Sequence, residues 1–508
     1  MKKLLYSIVL GIILSFIGQV SYAQKVSKLS ETELALHNMQ GKIYGWMTEW
    51  KVPGCAISIV KDGQVLWSVG LGQKNTTTKQ TVTPQTLFPI ASCSKSFTAA
   101  AMAILVDEGK VDWNKPVKYY LPDFELNDTE AEHTVMVKDL LSHRTGLPRH
   151  DFVWLYSSLD RKAIFKSLKY LTLSKKPYEQ YQYNNLMYMV AGVLIERVSG
   201  MTWEKFVEER LLKPLKMNQT VLTYPELFKS TDYAKSYRKQ EEQLVEAGFG
   251  SNVDAIGPAG AVKSNAEDMS HWLLMQLQQG KYESQQIISS KSLKENHIPL
   301  TVVYPTEAKY PELGFTTYGM GWNQNVYRGA QRLQHNGSIE GFRSQMTLFP
   351  NNNIGIFITT NSSAADYYFV NVVTNSLTDM LFNLPEIDWN GRMKQEKADV
   401  VFAEEKKMKE QNANRILFAS MSHNIDNYTG IYEHPAYGIL QIYKSDKGLM
   451  AKYHNQTIEL VHFHYDYFLG KDMLDNMSIQ FMTNFKGAID QVQIDFPNAG
   501  IIQFLKKQ

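Results

Sequence analysis

Cysteine is nearly absent: Cys55 and Cys93 are the only two in 508 residues. Two thiols in so long a chain are not the disulfide framework of a small secreted fold, and two buried thiols are the expected state, with their pairing left open. No Cys/His spacing of a zinc site occurs. His462 and His464 fall on one face of an expected strand, yet no third ligand accompanies them, so neither a metal nor a cofactor is expected. An excess of charge of one sign is lacking too, with 53 basic against 51 acidic side chains. Loss of residues 1–23, which carry Lys2 and Lys3 and no acid, would leave 51 of each. A neutral chain offers no electrostatic ground for nucleic acid or anionic membrane as a partner. There is no internal repeat or low-complexity tract, so nothing asks for a solenoid.

What is present begins with an export signal. Lys2 and Lys3 precede the apolar run "LLYSIVLGIILSFIG", and Ser21-Tyr22-Ala23 is a small-x-small cleavage site. The run falls short of the about 20 residues a membrane span needs, so 1–23 is expected to be a signal peptide, with no span after its cleavage. A secreted or periplasmic enzyme would follow. The 44% apolar and 20% charged residues fit a folded chain, and the length asks for more than one core.

"VPGCAISIVKDGQVLWSVGLG" alternates apolar and polar residues around Lys61-Asp62-Gly63, the signature of a hairpin. Residues 92 to about 108 predict a helix that is apolar almost all round, hence buried, with Gly109 as its stop. "NNLMYMVAGVLIERVSG" predicts a second, capped by Asn184 or Asn185 and stopped by Gly200. "TWEKFVEERLLKPLKM" predicts a third, ended by Pro214. "RSQMTLFPNNNIGIFITTN" reads as two strands joined through Asn351-Asn352-Asn353. Helices bracketed by strands imply an α/β (α+β) domain, here 30–385, whose core sheet has its first and last strands far apart in sequence. Residues 386–419 form a charged, helix-prone linker, and 420–508 read as a small all-β barrel or sandwich.

At the mouth of the first buried helix stands "FPIASCSKSFTAAAM". In a helix, residues three apart share a face, which brings the Lys95 amine to the Ser92 hydroxyl. Serine needs a base to become a nucleophile, burial lowers a lysine pKa, and a helix N-terminus favours an oxyanion. The same Ser-x-x-Lys spacing recurs at Ser236-Tyr237-Arg238-Lys239 without a buried helix behind it, so the motif alone is weak. Ser94 has no base three residues on. Cys93 is intrinsically the better nucleophile but has no evident helper. Tyr183-Asn184-Asn185 adds a phenol and amides at the next helix entrance. His335-Asn336-Gly337 begins an apparent strand pair, where glycine would let backbone approach a substrate. Tyr453-His454-Asn455 repeats the tyrosine spacing in the β region, as chance would.

The order Ser92-x-x-Lys95, Tyr183-x-Asn185, His335-x-Gly337 resembles the class C β-lactamase and penicillin-binding-protein-like serine hydrolases. The resemblance extends over most of 40–380, through "DLLSHRTGLP", "PLKM", "GPAGAVKSNAEDM" and "YGMGW". Residues 420–508 resemble the lipocalin-like β domain that follows some of these enzymes. The resemblance implies a β-lactamase/transpeptidase-like domain with a mainly antiparallel sheet flanked by helices. It implies Ser92 as acylated nucleophile, Lys95 and Tyr183 as base and then acid, and Asn185 orienting Lys95 or a substrate amide. The N–H groups of Ser92 and Ser338 would form the oxyanion hole. Ser142-His143 would support the fold near the cleft, with Arg149 to Asp151 structural or at the surface. Tyr318 and Trp322 would line the cleft or fill the core. His335 stands where β-lactamases usually carry a lysine that pairs with the substrate carboxylate. A histidine of ordinary pKa, about 6.5, is mostly neutral at pH 7, which tilts the expectation toward peptide, amide or ester bonds. The alternatives are a β-lactamase or D-Ala-D-Ala carboxypeptidase-like enzyme, and a non-catalytic peptidoglycan-peptide sensor. The β domain is expected to cap the cleft or to make a homo-oligomer, and a hydrophobic or glycan ligand for it is a third reading.

Overall fold

The computed structural model describes residues 31–305, 307–471 and 477–507, so the expected signal peptide lies outside the described residues. The principal sheet is built from β1 (Gly54–Lys61), β2 (Gln64–Asn75), β3 (Gln80–Thr81), β4 (Thr301–Val302), β5 (Thr317–Tyr318), β6 (Asn323–Tyr327), β7 (Ala330–Ile339), β8 (Phe342–Phe349) and β9 (Ile354–Thr360). Among the described residues these nine strands run in the order β4-β5-β6-β7-β8-β9-β1-β2-β3. Each neighbouring pair is antiparallel, and β1 joins β9 with Ile57 opposite Ile358. The first hairpin therefore closes onto the last strands, as its distant apolar partner requires.

Alternation along β1 sends Cys55, Ile57 and Ile59 to one face and Ala56 and Val60 to the other. The first face packs on α1 (Glu31–Glu49) and on Tyr368–Leu381. The second packs on α2 (Ser94–Asp107), α3 (Asn185–Ser199) and α4 (Ala266–Leu277). Cys55 and Cys93 thus belong to opposite faces, and both are buried free thiols.

α2 is buried along Ser94–Leu105. Its Phe97 ring stacks on Trp272 of α4, and its Thr98 hydroxyl donates to the Pro258 carbonyl at 2.7 Å while accepting from Trp203 Nε1 at 3.0 Å. α3 begins with the Asn184 side chain accepting from Met187 N–H and ends at Gly200, φ +73°, where a side chain would be strained. The third expected helix is α-helical over Trp203–Val207 and widens into a π-turn over Glu208–Leu212.

A 25-residue helix, α5 (Trp389–Ala413), leaves the sheet. Trp389 and Met393 anchor its first turns and the remainder stands in solvent. Beyond it, among the described residues, eight antiparallel strands between Gly430 and Lys506 close consecutively into a barrel. Its interior is filled by Tyr432, Tyr453, Phe468, Phe481, Phe496 and Phe504, among others. That apolar cluster is continuous with the helical side of the first domain. Among the described residues no helix is long and apolar enough to cross a membrane.

Candidate active site

Ser92 sits in a single turn of 3-10 helix, Ala91–Cys93, that leads into α2. Ala91 holds φ +48°, an uncommon conformation for a residue with a side chain, and the residue after it presents the hydroxyl. The turn is pressed against β7. A side chain at Gly337 would meet the Ile90 carbonyl oxygen at 2.1 Å and Ser344 Oγ at 2.3 Å. Glycine is needed there because strand backbone meets the serine's own turn; the close approach is to protein. His335-Asn336-Gly337 lies in the last part of β7, which starts five residues before His335.

Lys95 occupies the next position of the same face. Its Nζ lies 3.2 Å from Ser92 Oγ, 2.7 Å from Asn185 Oδ1 and 2.8 Å from the Ala259 carbonyl oxygen. Burial, aided by Arg149, holds its pKa well below 10.5, against an opposing pull from Asp151. An ammonium would donate to all three oxygens. A free amine donates to the two carbonyls, which can only accept, and turns its lone pair to the Ser92 hydroxyl. The Tyr183 ring lies 4.8 Å from Lys95 Nζ. Burial raises its pKa well above 10 despite Arg149 stacked 5.2 Å away, so Tyr183 is a phenol at neutral pH.

Asn185 is oriented from behind. Its Nδ2 donates to Asp151 Oδ1 at 2.9 Å, where Trp154 Nε1 also donates at 2.9 Å. Arg149 Nε holds the other Asp151 oxygen. Arg149, Asp151, Ser92, Asn185, Ser338 and Glu340 line one cavity of about 200 Å³. Asp151 is 8% exposed. Sequence reasoning left Asp151 structural or at the surface and missed its contact with Asn185: it lies 34 positions from Asn185, and the loop "GLPRHD" carries no periodicity that aims it. The Ala259 carbonyl was equally invisible, because a backbone acceptor has no residue type.

His335 is 2% exposed. Its Nδ1 is 2.7 Å from the Asn336 carbonyl oxygen, which can only accept, so Nδ1 carries the proton and Nε2 accepts from the Tyr318 hydroxyl at 2.9 Å. Burial first, then the Lys95 charge, push its pKa down to about 3. His335 is neutral across the physiological range with both nitrogens engaged. His143 accepts from Asn184 N–H at 3.0 Å and packs against Tyr183, 4.3 Å between ring centres. Trp322 is buried core, and Tyr318 is buried while reaching His335.

The rival nucleophiles are otherwise employed. Burial pushes the Cys93 thiol up to about 12, and its sulfur rests 3.3 Å from the His335 carbonyl oxygen. The Ser94 hydroxyl donates to Ala91 O at 2.6 Å and accepts from Val262 N–H at 2.9 Å.

The family model described as Beta-lactamase matches residues 40–371, and one described as Domain of unknown function (DUF3471) matches 416–504. Unguisins hydrolase ungD' of Aspergillus campestris is 30% identical, over 78% of this chain and 75% of that protein. Protein flp of Staphylococcus aureus is 28% identical, over 61% and 60%. Among solved structures, the octameric penicillin-binding protein homologue from Pyrococcus abyssi superposes with a TM-score of 0.61 at 21% identity, covering 93% of this chain and all of that one. The D-amino acid amidase from Ochrobactrum anthropi complexed with D-phenylalanine gives 0.59 at 22%, covering 69% and 99%. At these identities the superpositions speak to the fold.

Proposed function

Since this chain belongs to the beta-lactamase family and is a serine hydrolase of that superfamily, we propose that it is an exported enzyme cleaving neutral amide or ester bonds through an acyl-enzyme on Ser92. The observation that carries the reading is the seating of Lys95 Nζ between Ser92 Oγ, Asn185 Oδ1 and the Ala259 carbonyl, with its pKa depressed. Lys95 takes the Ser92 proton as Oγ attacks the substrate carbonyl carbon. The N–H groups of Ser92 and Ser338 receive the charge that develops on the carbonyl oxygen. Such donors are typically worth about 10²–10³ in rate each. Tyr183, a phenol, hands a proton to the departing nitrogen or oxygen and is reprotonated from Lys95. Water then attacks the acyl carbon with Lys95 again accepting its proton, and Ser92 recovers its hydrogen.

The substrate class follows from charge. A buried, neutral His335 supplies no cation for a substrate carboxylate, and Arg149, the cation lining the Ser92 cavity, has its charge balanced by Asp151, which leaves its remaining N–H groups to serve neutral acceptors. The site therefore suits uncharged amides, including those of D-residues, better than anionic penicillins. The relatives whose names are a hydrolase and a D-amino acid amidase support this direction. Export rests on the signal at 1–23, and N-terminal sequencing of the mature protein tests it. Self-association is proposed in keeping with the octameric neighbour, with light scattering as its check.

The substrate test is turnover of D- and L-phenylalanine amide, p-nitrophenyl acetate and benzylpenicillin, each with Ser92→Ala as control. Amide or ester turnover well above penicillin turnover is the expected result. Preferred penicillin hydrolysis would overturn the substrate assignment, and a stable penicillin adduct without turnover of anything would make the protein a sensor.

A further inference from the structure

The barrel docks on the loop that carries Arg149 and Asp151. Tyr453 Oη and His454 Nε2 both donate to the Phe152 carbonyl, at 2.8 and 3.1 Å. Tyr437 Oη donates to His150 Nδ1 at 2.7 Å, while His150 Nε2 donates to the Thr172 carbonyl at 3.3 Å. The Phe152 ring lies 4.7 Å, centre to centre, from Phe496 in the last-but-one strand, Ile489–Phe496. The turn after that strand brings Asn498 to the cleft. A cavity of about 290 Å³ is lined by Pro148, Arg149, Tyr181, Gln182, Tyr183 and Asn498. It shares Arg149 with the cavity around Ser92. Among the described residues only the Nε of Arg149 hydrogen bonds to the protein, at Asp151, and its side chain is 42% exposed. Free guanidinium N–H groups thus stand between the two cavities.

From this geometry we infer that the substrate cleft is built by both domains. It continues from Ser92 past Arg149 into the second cavity, where Asn498 of the barrel is the far wall and a specificity-determining residue. The occupant is the part of an extended acyl substrate remote from the scissile bond. Its neutral carbonyl oxygens would accept from the Arg149 N–H groups and the Asn498 amide, and its chain would lie along Tyr181 and Tyr183. A second domain that touched the first only at a rigid back face would have no such effect on selectivity. The hydrogen bonds to Phe152 and His150 fix the wall relative to Arg149, so the cleft keeps one width.

The inference rests on the Ser92 acyl-enzyme reading, and covalent labelling separates the two. The full-length mature protein is treated with diisopropyl fluorophosphate, a compact reagent, and with a fluorophosphonate carrying a long decyl arm. The ratio of second-order labelling rates, long-armed over compact, is the readout. Asn498→Trp, which fills the far cavity, is expected to lower that ratio at least tenfold. Asn498→Gly is expected to raise it two- to threefold; φ +61° at this position favours glycine, so folding is not at risk. Ile501→Lys, on the exposed outside of the barrel, should leave it unchanged. An unchanged ratio in both Asn498 variants, with Ser92 still labelled, would overturn the two-domain cleft alone. Absence of Ser92 labelling in the wild type would overturn the acyl-enzyme reading and this inference with it.

Discussion

Ser92-Cys93-Ser94-Lys95 and Ser236-Tyr237-Arg238-Lys239 share one spacing and have opposite surroundings. The first is wound into helix, which puts positions three apart on one face, and Nζ comes 3.2 Å from Oγ. The second runs into the strand Tyr237–Gln240, where positions three apart point to opposite faces. There Ser236 is buried and donates to the Gly248 carbonyl at 2.9 Å, while Lys239 is exposed and pairs with Glu242 at 2.8 Å. The hydroxyl and amine are the same chemical groups in both places. What separates a base from a surface cation is the burial of Lys95 and the two carbonyl acceptors that seat its nitrogen.

The comparison can be broken at its strongest point first. Ser92→Ala is expected to lower kcat by about 10⁴–10⁶-fold, as loss of a nucleophile does in other serine hydrolases, with steady-state turnover as the check. Lys95→Ala should slow acylation by about 10²–10⁴-fold. In the wild type the acylation rate should fall as pH drops through the depressed Lys95 pKa, because the protonated amine has no lone pair for Ser92. A pre-steady-state pH profile whose limb lay at the ordinary 10.5 would contradict the seating of Lys95. Asn185→Ala removes one acceptor of Lys95 and should cost about 10–100-fold, from the value of a hydrogen bond to a charged group; its pH profile should move as well. Ser236→Ala should change kcat/KM by less than about twofold, with a stability loss of about 1 kcal/mol for the lost hydrogen bond, read by urea unfolding.

Much of this was legible in residue order because local rules govern it. The i,i+3 pairing of Ser92 and Lys95, the Asn184 cap and the hairpin at Asp62-Gly63 depend on near neighbours alone. That one sheet would hold strands far apart in sequence was legible from the strands bracketing the helices; that β1 pairs with β9 was not, since both are buried on both faces and carry no alternation of burial to fix a register. What was illegible came from long-range contacts. Asp151 reaches Asn185 across a loop, and the Ala259 carbonyl reaches Lys95 from a turn with no side-chain signature. Tyr453-His454 looked like an accidental copy of the tyrosine motif, yet the pair holds the Phe152 carbonyl and so the loop beside Ser92. Tyr183 was expected to share the base's and then the acid's work with Lys95, and residue order gives no view of its burial. Burial outweighs the nearby charges and keeps it a phenol.

The most direct measurement is intact mass of the mature protein after fluorophosphonate treatment, run beside Ser92→Ala and Ser236→Ala. The account predicts one adduct in the wild type and in Ser236→Ala, and none in Ser92→Ala. An adduct that survives Ser92→Ala, or vanishes with Ser236→Ala, would contradict it.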